Sequence, residues 1–231
     1  MKQESVSDWN WVYQQLLAQW GAQHWWPAKT PFEVMVGAIL TQNTAWTNVE
    51  KAIARLESAD LLDVGRILDS DDANLETCLH PSGYYRVKAR RLRSLCAFLQ
   101  EEGCAERPES LRERGSLPEL RRKLLGVHGI GEETADSILL YALQLPVMVV
   151  DAYTKRIAIR LAWCEERVRY AEIQRDIESA LMHGDVELRK ELHALLVELG
   201  KNICRPRRPI CSQCPLSRRC AYGVDQARPG N

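Results

Sequence analysis

The stretch from Leu124 to Arg156, LLGVHGIGEETADSILLYALQLPVMVVDAYTKR, limits what this chain can fold into more than any other. Apolar residues at helical spacing run from Leu120 to Leu125, and Gly126 follows as the kind of residue that ends a helix in a left-handed conformation. Gly129 and Gly131 then flank Ile130 in a tight turn. Helical periodicity resumes from Glu132 to Leu143, with Ala135, Ile138, Leu139 and Ala142 on one face. A helix that starts behind glycines offers bare N–H groups to anything that comes close, which makes it a ready phosphate site. An ordinary helical hairpin reads the same way. Beyond Pro146 the apolar run Val147 to Val150 ends on Asp151, which reads as the cap of a helix starting at Ala152.

Of eight cysteines, four crowd together as Cys204-x6-Cys211-x2-Cys214-x5-Cys220. The others, Cys78, Cys96, Cys104 and Cys164, are scattered and read as buried small hydrophobes. The N-terminus MKQESVSDWN is neither a secretory signal nor a transit peptide, and no apolar run reaches the roughly 18 residues of a membrane span. The expected protein is therefore a cytoplasmic monomer, beside the nucleoid if bacterial, with no membrane partner. In that compartment a disulfide framework is disfavoured, and four thiolates in a loop with Pro206, Pro209 and Pro215 suit a metal centre. One close pair with two outlying ligands favours a [4Fe–4S] cluster over zinc, whose ribbons usually present two separated C-x2-C pairs. Without a flavin or nicotinamide fingerprint, an electron carrier lacks a second cofactor site. The expected role of the cluster is to fold a loop that presents Arg205, Arg207 and Arg208 to phosphates.

The net charge is zero, which by itself argues against a strongly basic nucleic-acid coat, but the distribution of charge matters more than the sum. Tyr84 to Arg93 carries Arg86, Lys88, Arg90, Arg91 and Arg93 without an acid, and Lys201 to Cys220 is likewise basic. Two such segments fit a DNA-binding face or a pair of solvated surfaces.

A first helix is expected from Ser5 to Gly21, capped by Ser7 or Asp8. The aromatic connector His24-Trp25-Trp26-Pro27 leads to Thr30-Pro31-Phe32-Glu33, where threonine cap, proline and glutamate make a strong helix start. That helix, Pro31 to about Gln42, is nearly all apolar and should be central to a core. Thr41-Gln42-Asn43-Thr44 reads as a polar connection. Further helices are predicted at Ala45 to Ala59, Asp60 to Leu68, Asn74 to Leu79, Val87 to Glu102 and Leu117 to Leu125, with breaks at Gly83 and Gly103.

The order V-x-G-I-G-x-x-T-A, carried by Val127, Gly129, Ile130, Gly131, Thr134 and Ala135, resembles the helix-hairpin-helix of the endonuclease III superfamily of DNA glycosylases. Pro146, Val147 to Val150 and Asp151 match the family's "GPD" segment, whose aspartate is catalytic, and the cysteine spacing matches its cluster loop. The resemblance implies an all-α, two-lobed fold: a helical barrel over 29–145 ending in the hairpin, and a second lobe of 1–28 with 146–231 carrying the [4Fe–4S] loop 204–220. It implies double-stranded DNA bound across the cleft, with a damaged base flipped out. Gln42 would fill the gap beside Asn43, Gly129 and Gly131 would grip the backbone, and Asp151 would drive hydrolysis. Bifunctional members carry a lysine where this chain has Glu133, so the implied chemistry is base removal without strand cleavage, unless Lys155, one turn after Asp151, supplies the amine. Glu133 could also be a pocket wall or a surface acid.

His80 to Tyr85 with the following KARRL, Trp25-Trp26-Pro27, Thr41 to Thr44 and Val147 to Asp151 resemble a branch akin to 3-methyladenine glycosylases, which also lacks the lysine. Its substrates, N-alkylated purines, are cationic and select for an aromatic pocket. Trp25, Trp26 and Trp46 are the candidates, although tryptophans near a helical core more often simply pack. A bifunctional enzyme acting on oxidised pyrimidines, and a non-catalytic binder of DNA structures, are the competing readings.

Overall fold

The computed structural model describes residues 7–181 and 185–226, so the start of the helix expected from Ser5 lies outside the described residues. Within them the chain is helical and contains no strand. In chain order the helices are α1 Trp9–Trp20, α2 Pro31–Leu40, α3 Trp46–Ser58, α4 Val64–Asp69, α5 Asp72–Leu79, α6 Tyr85–Glu101, α7 Leu117–Leu125 and α8 Glu132–Ser137, followed by α9 Ala152–Arg160, α10 Tyr170–Ala180, α11 Val186–Asn202 and α12 Ala221–Gln226. They form two compact units, Trp26–Leu145 on its own and Met1–Trp25 together with Pro146–Asn231.

In the first of these units α2 is the central element. Every residue from Phe32 to Leu40 is buried. Thr30 caps the helix by accepting the Glu33 N–H at 3.1 Å, and the Glu33 carboxylate accepts the Lys29 N–H at 2.9 Å. Gly37 leaves room on the helix for the ring of Trp26, whose Cζ2 would lie 3.2 Å from a Cβ there. The helix ends before Gln42 because the Thr41 hydroxyl turns back onto the Gly37 and Ala38 carbonyls at 3.0 and 3.1 Å.

Side-chain caps move several expected boundaries. Asp60 takes a left-handed φ of 57°, and α4 begins only after Asp63, which accepts the Arg66 N–H at 3.0 Å. Asp71 caps α5 through the Asn74 N–H at 2.8 Å, so the helix starts at Asp72, two residues ahead of the predicted start at Asn74. Gly126 is not left-handed. Its φ of −76° is right-handed, and the last turn of α7 tightens through Val127 N–H to Leu124 O at 3.0 Å. The left-handed residue of the turn is Gly129, at φ 85°. The helix predicted to run unbroken to Leu143 is α-helical only to Ser137, then widens into a π-helical turn over Ile138–Ala142.

The other unit is built on α1, α9, α10 and α11, whose buried faces (Trp9, Val12, Leu16, Ile157, Ile177 and Leu195 among them) form one cluster. Each fully buried aliphatic side chain contributes about 1.5–3 kcal/mol relative to exposure. Trp9 lies edge-on to Trp163 at 4.9 Å and donates its indole N–H to Asp176 at 2.7 Å, so its polar edge is satisfied. Helices α9 and α11 approach closely because position 200 is glycine. A Cβ there would sit 2.4 Å from Cδ1 of Tyr153.

Candidate functional site

The glycine turn is braced from behind by a buried ion pair. Arg121 on α7 reaches Asp136 on α8 with two parallel bonds, Nε to Oδ1 at 2.8 Å and Nη2 to Oδ2 at 3.0 Å, and Asp136 is fully buried. Within the turn the Ile130 N–H bonds to Val127 O at 3.1 Å. The N–H groups of Gly129 and Gly131 have no main-chain acceptor among the described residues, which is the arrangement expected of an anion-binding turn.

Beside it lies the loop after α2. The Gln42 amide donates to Gly129 O at 3.1 Å and to the Thr134 hydroxyl at 2.9 Å, and its carbonyl oxygen accepts from Arg91. Asn43 is exposed with a left-handed φ of 54°. Lys88 fastens the loop from below, donating to Leu40 O at 2.8 Å, Thr44 Oγ1 at 2.6 Å and Ser82 O at 2.7 Å. Burial, with the nearby charge of Arg91, pulls its ammonium down to about 8.

The segment Tyr84 to Arg93 is therefore not a continuous basic face. Lys88 is interior, Arg93 spends its guanidinium on the carbonyls of Ile67, Leu68 and Ser70, and only Arg86 and Arg90 are exposed. Helical phase explains the split, since positions 88 and 92 face the core. Just ahead of α6, Tyr84 is 74% exposed on a strained left-handed backbone at φ 47°, an aromatic ring held out in solvent.

Asp151 is the cap of α9. Its Oδ1 accepts the Thr154 N–H at 2.7 Å, and its Oδ2 lies 3.7 Å from Nε2 of His193 on α11. Both groups are buried, and Trp25 lies against the imidazole at 5.6 Å between ring centres. Burial pushes the Asp151 carboxyl up, but His193 and the Thr154 amide outweigh it and hold the group below its ordinary value. Nothing in the sequence marks His193, since a single histidine in the stretch HALLVELG reads as a core residue. Lys155 donates to Val168 O at 3.0 Å, and Glu133 is exposed near the start of α8. Trp26 packs on Trp46 at 5.2 Å and on Tyr141 at 5.1 Å, so two of the three candidate tryptophans meet in one aromatic group, joined by a tyrosine.

Cys204, Cys211, Cys214 and Cys220 line a single small pocket. Among the described residues no three His, Cys, Asp or Glu side chains stand close enough to hold one metal ion. Four thiols lining one pocket are a donor set of the kind that holds an iron–sulfur centre. Arg160 reaches into the pocket wall, donating to Cys204 Sγ at 3.1 Å and to Arg205 O at 2.8 Å. Burial pushes the thiols of Cys211 and Cys220 up, and that of Cys214 to about 11, so loading the pocket requires proton release. Arg205, Arg207 and Arg208 are all exposed. Of the other cysteines, Cys78, Cys96 and Cys104 are buried, but Cys164 is partly exposed.

Residues 36–182 match the family model described as HhH-GPD superfamily base excision DNA repair protein. The chain belongs to this superfamily. Membership of the HhH-GPD superfamily places it among endonuclease III-like DNA glycosylases. It is 45% identical over 209 residues to a Methanocaldococcus jannaschii protein named for DNA repair glycosylase activity, covering 90% of this chain and 94% of that one. It is also 30% identical to endonuclease III of Thermotoga maritima, covering 83% of each. Among solved HhH-GPD structures, a 3-methyladenine DNA glycosylase of H. pylori bound to 1,N6-ethenoadenine superposes with a TM-score of 0.74 at 28% identity, over 84% of this chain and 98% of that one. A trapped endonuclease III–DNA covalent intermediate has the same fold, with a TM-score of 0.78 at 23% identity, over 95% of this chain and 97% of that one. No helix among the described residues is long and apolar enough to cross a membrane.

Proposed function

We propose that this chain binds double-stranded DNA, extrudes a damaged base and removes it by hydrolysis, without cutting the strand. The observation that carries this reading is the placement of Asp151, a carboxylate buried at a helix mouth with one oxygen accepting the Thr154 N–H and the other 3.7 Å from His193, in a chain whose hairpin has Glu133 where a Schiff-base lysine would stand. A carboxylate kept ionised can orient a water and stabilise the positive charge that grows on the sugar as the base departs. Glu133 cannot form an imine. Lys155, bonded to a carbonyl, is poorly placed to act as a free amine.

The remaining residues take binding roles in this scheme. The free amides of Gly129 and Gly131 meet the phosphodiester backbone, Gln42 with its neighbour Asn43 fills the space left by the extruded nucleotide, and exposed Arg205, Arg207 and Arg208 neutralise phosphates. Tyr84 offers a further stacking surface. N-alkylated purines are the proposed substrate class: the electron-rich rings of Trp26, Trp46 and Tyr141 suit a cationic base. The likeness to the H. pylori 3-methyladenine glycosylase supports the same class. Cys204, Cys211, Cys214 and Cys220 would hold a [4Fe–4S] cluster, which supplies cross-linking of the loop through iron–thiolate bonds.

The test is a panel of duplexes carrying 3-methyladenine, thymine glycol, uracil, mismatched thymine or an abasic site, each analysed with and without alkali. Expected is release of the alkylated purine with strand breaks only after alkali, and a loss of roughly 10²–10⁴-fold in Asp151→Asn. A borohydride-trapped adduct on abasic DNA that vanishes in Lys155→Ala would establish the bifunctional reading instead. Base release untouched by Asp151→Asn, or none from any duplex, would overturn the catalytic one.

A further inference from the structure

Two cations on α6, Lys88 and Arg91, attend to opposite ends of one loop. Lys88 is 1% exposed and spends its three donors on Leu40 O, Thr44 Oγ1 and Ser82 O, closing the base of the loop Thr41 to Thr44. One turn further along, Arg91 lays its aliphatic stem across Gly129. A Cβ on that glycine would fall 2.1 Å from Arg91 Cγ and 2.6 Å from Cδ, so the turn admits the arginine only because position 129 has no side chain. The Arg91 guanidinium donates to the Gln42 carbonyl oxygen, while the Gln42 NH2 donates to Gly129 O at 3.1 Å and Thr134 Oγ1 at 2.9 Å. The amide is thus held at its acceptor end by α6 and at its donor end by the hairpin. A glutamine held in one rotamer surrenders less freedom on entering a duplex than one that samples many.

We propose that Arg91 is a positioning residue of this glycosylase: it latches Gln42 to the glycine hairpin, so that the group filling the duplex and the turn gripping the backbone engage DNA as one body. This rests on the wedge role given to Gln42 above. A lone surface arginine would add affinity for any duplex. A latch adds affinity only where there is a gap to fill.

The experiment measures binding of the full-length protein to a duplex with a stable abasic analogue and to the same duplex undamaged, for wild type, Gln42→Ala, Arg91→Met and the double variant. A 2-aminopurine opposite the gap reports its filling by fluorescence. Methionine keeps an apolar stem on Gly129 and removes only the guanidinium. Expected is a loss of roughly tenfold or more in the preference for abasic over undamaged DNA in Arg91→Met, the magnitude of a charge-assisted hydrogen bond, with an unchanged melting temperature and a raised 2-aminopurine signal. The double variant should be no worse than Gln42→Ala alone. Arg91→Lys keeps the charge without the fork, and it should lose the same preference if methionine is not tolerated.

If Gln42→Ala keeps the abasic preference, the wedge reading falls and takes the latch with it. If Gln42→Ala loses the preference while the Arg91 variants keep it, or if the two losses multiply, the latch alone is overturned. Equal loss on both duplexes in Arg91→Met reduces the residue to an ordinary phosphate contact and also overturns it.

Discussion

Asp151 answers to three forces at once: burial, which disfavours its charge, and the Thr154 amide and His193, which favour it. Because the folded carboxyl lies below its ordinary value, the stability it contributes is present above that value and is lost as pH falls through the folded one. His193→Asn removes the largest favourable influence and leaves burial in place. The carboxyl should then rise, and the acid limb of kcat/KM for base release should move to higher pH, whereas a merely structural histidine would lower activity equally at every pH. A pH–rate profile of the variant against wild type decides this. Residues at this scale were unevenly legible. Asp151 could be placed by its motif, but the roles of Lys88 and Arg91 could not. Consecutive basic residues look alike in a sequence, and only the 3.6-residue turn of α6 sends one into the core and lays its neighbour along a glycine.

The hairpin is a pair of short helices bridged by the Arg121–Asp136 pair, whose carboxylate is fully buried. Breaking a buried pair from one side costs about 3–5 kcal/mol, because the remaining charge stays desolvated. Asp136→Ala leaves Arg121 partly exposed and still 3.5 Å from Glu132, so it should lower stability by less than that, on the order of 1–3 kcal/mol in urea titrations. The turn itself was readable from Gly129 and Gly131, and α2 from its threonine cap, proline and apolar run. What escaped were features set by neighbours: the right-handed Gly126, the π-helical turn over Ile138–Ala142, and starts moved by Asp63 and Asp71. The widened turn is wholly buried, and nothing in ILLYA separates it from an ordinary helix, because its extra residue is accommodated by tertiary packing rather than local preference.

At the scale of the whole molecule, the sequence spacing of the four cysteines predicts that they come together, because ligand spacing survives in sequence where contacts do not. All four share one pocket. Cys211→Ser should open 204–220 to limited proteolysis while Trp26–Leu145 stays resistant, and the salt dependence of DNA binding should become shallower as the Arg205, Arg207 and Arg208 contacts are lost. A visible-absorption loss accompanying the nicking would tie both effects to the proposed cluster. If the variant binds DNA with the wild-type salt slope, the loop has no part in recognising phosphates. The division of the chain also has a consequence during synthesis. Trp26–Leu145 is one continuous stretch and can collapse as soon as it leaves the ribosome, whereas Trp9, Val12 and Leu16 find their partners only on α9, α10 and α11. Helix α1 is made well before the partners that house it, and until α9, α10 and α11 emerge its tryptophan face is what a chaperone would meet.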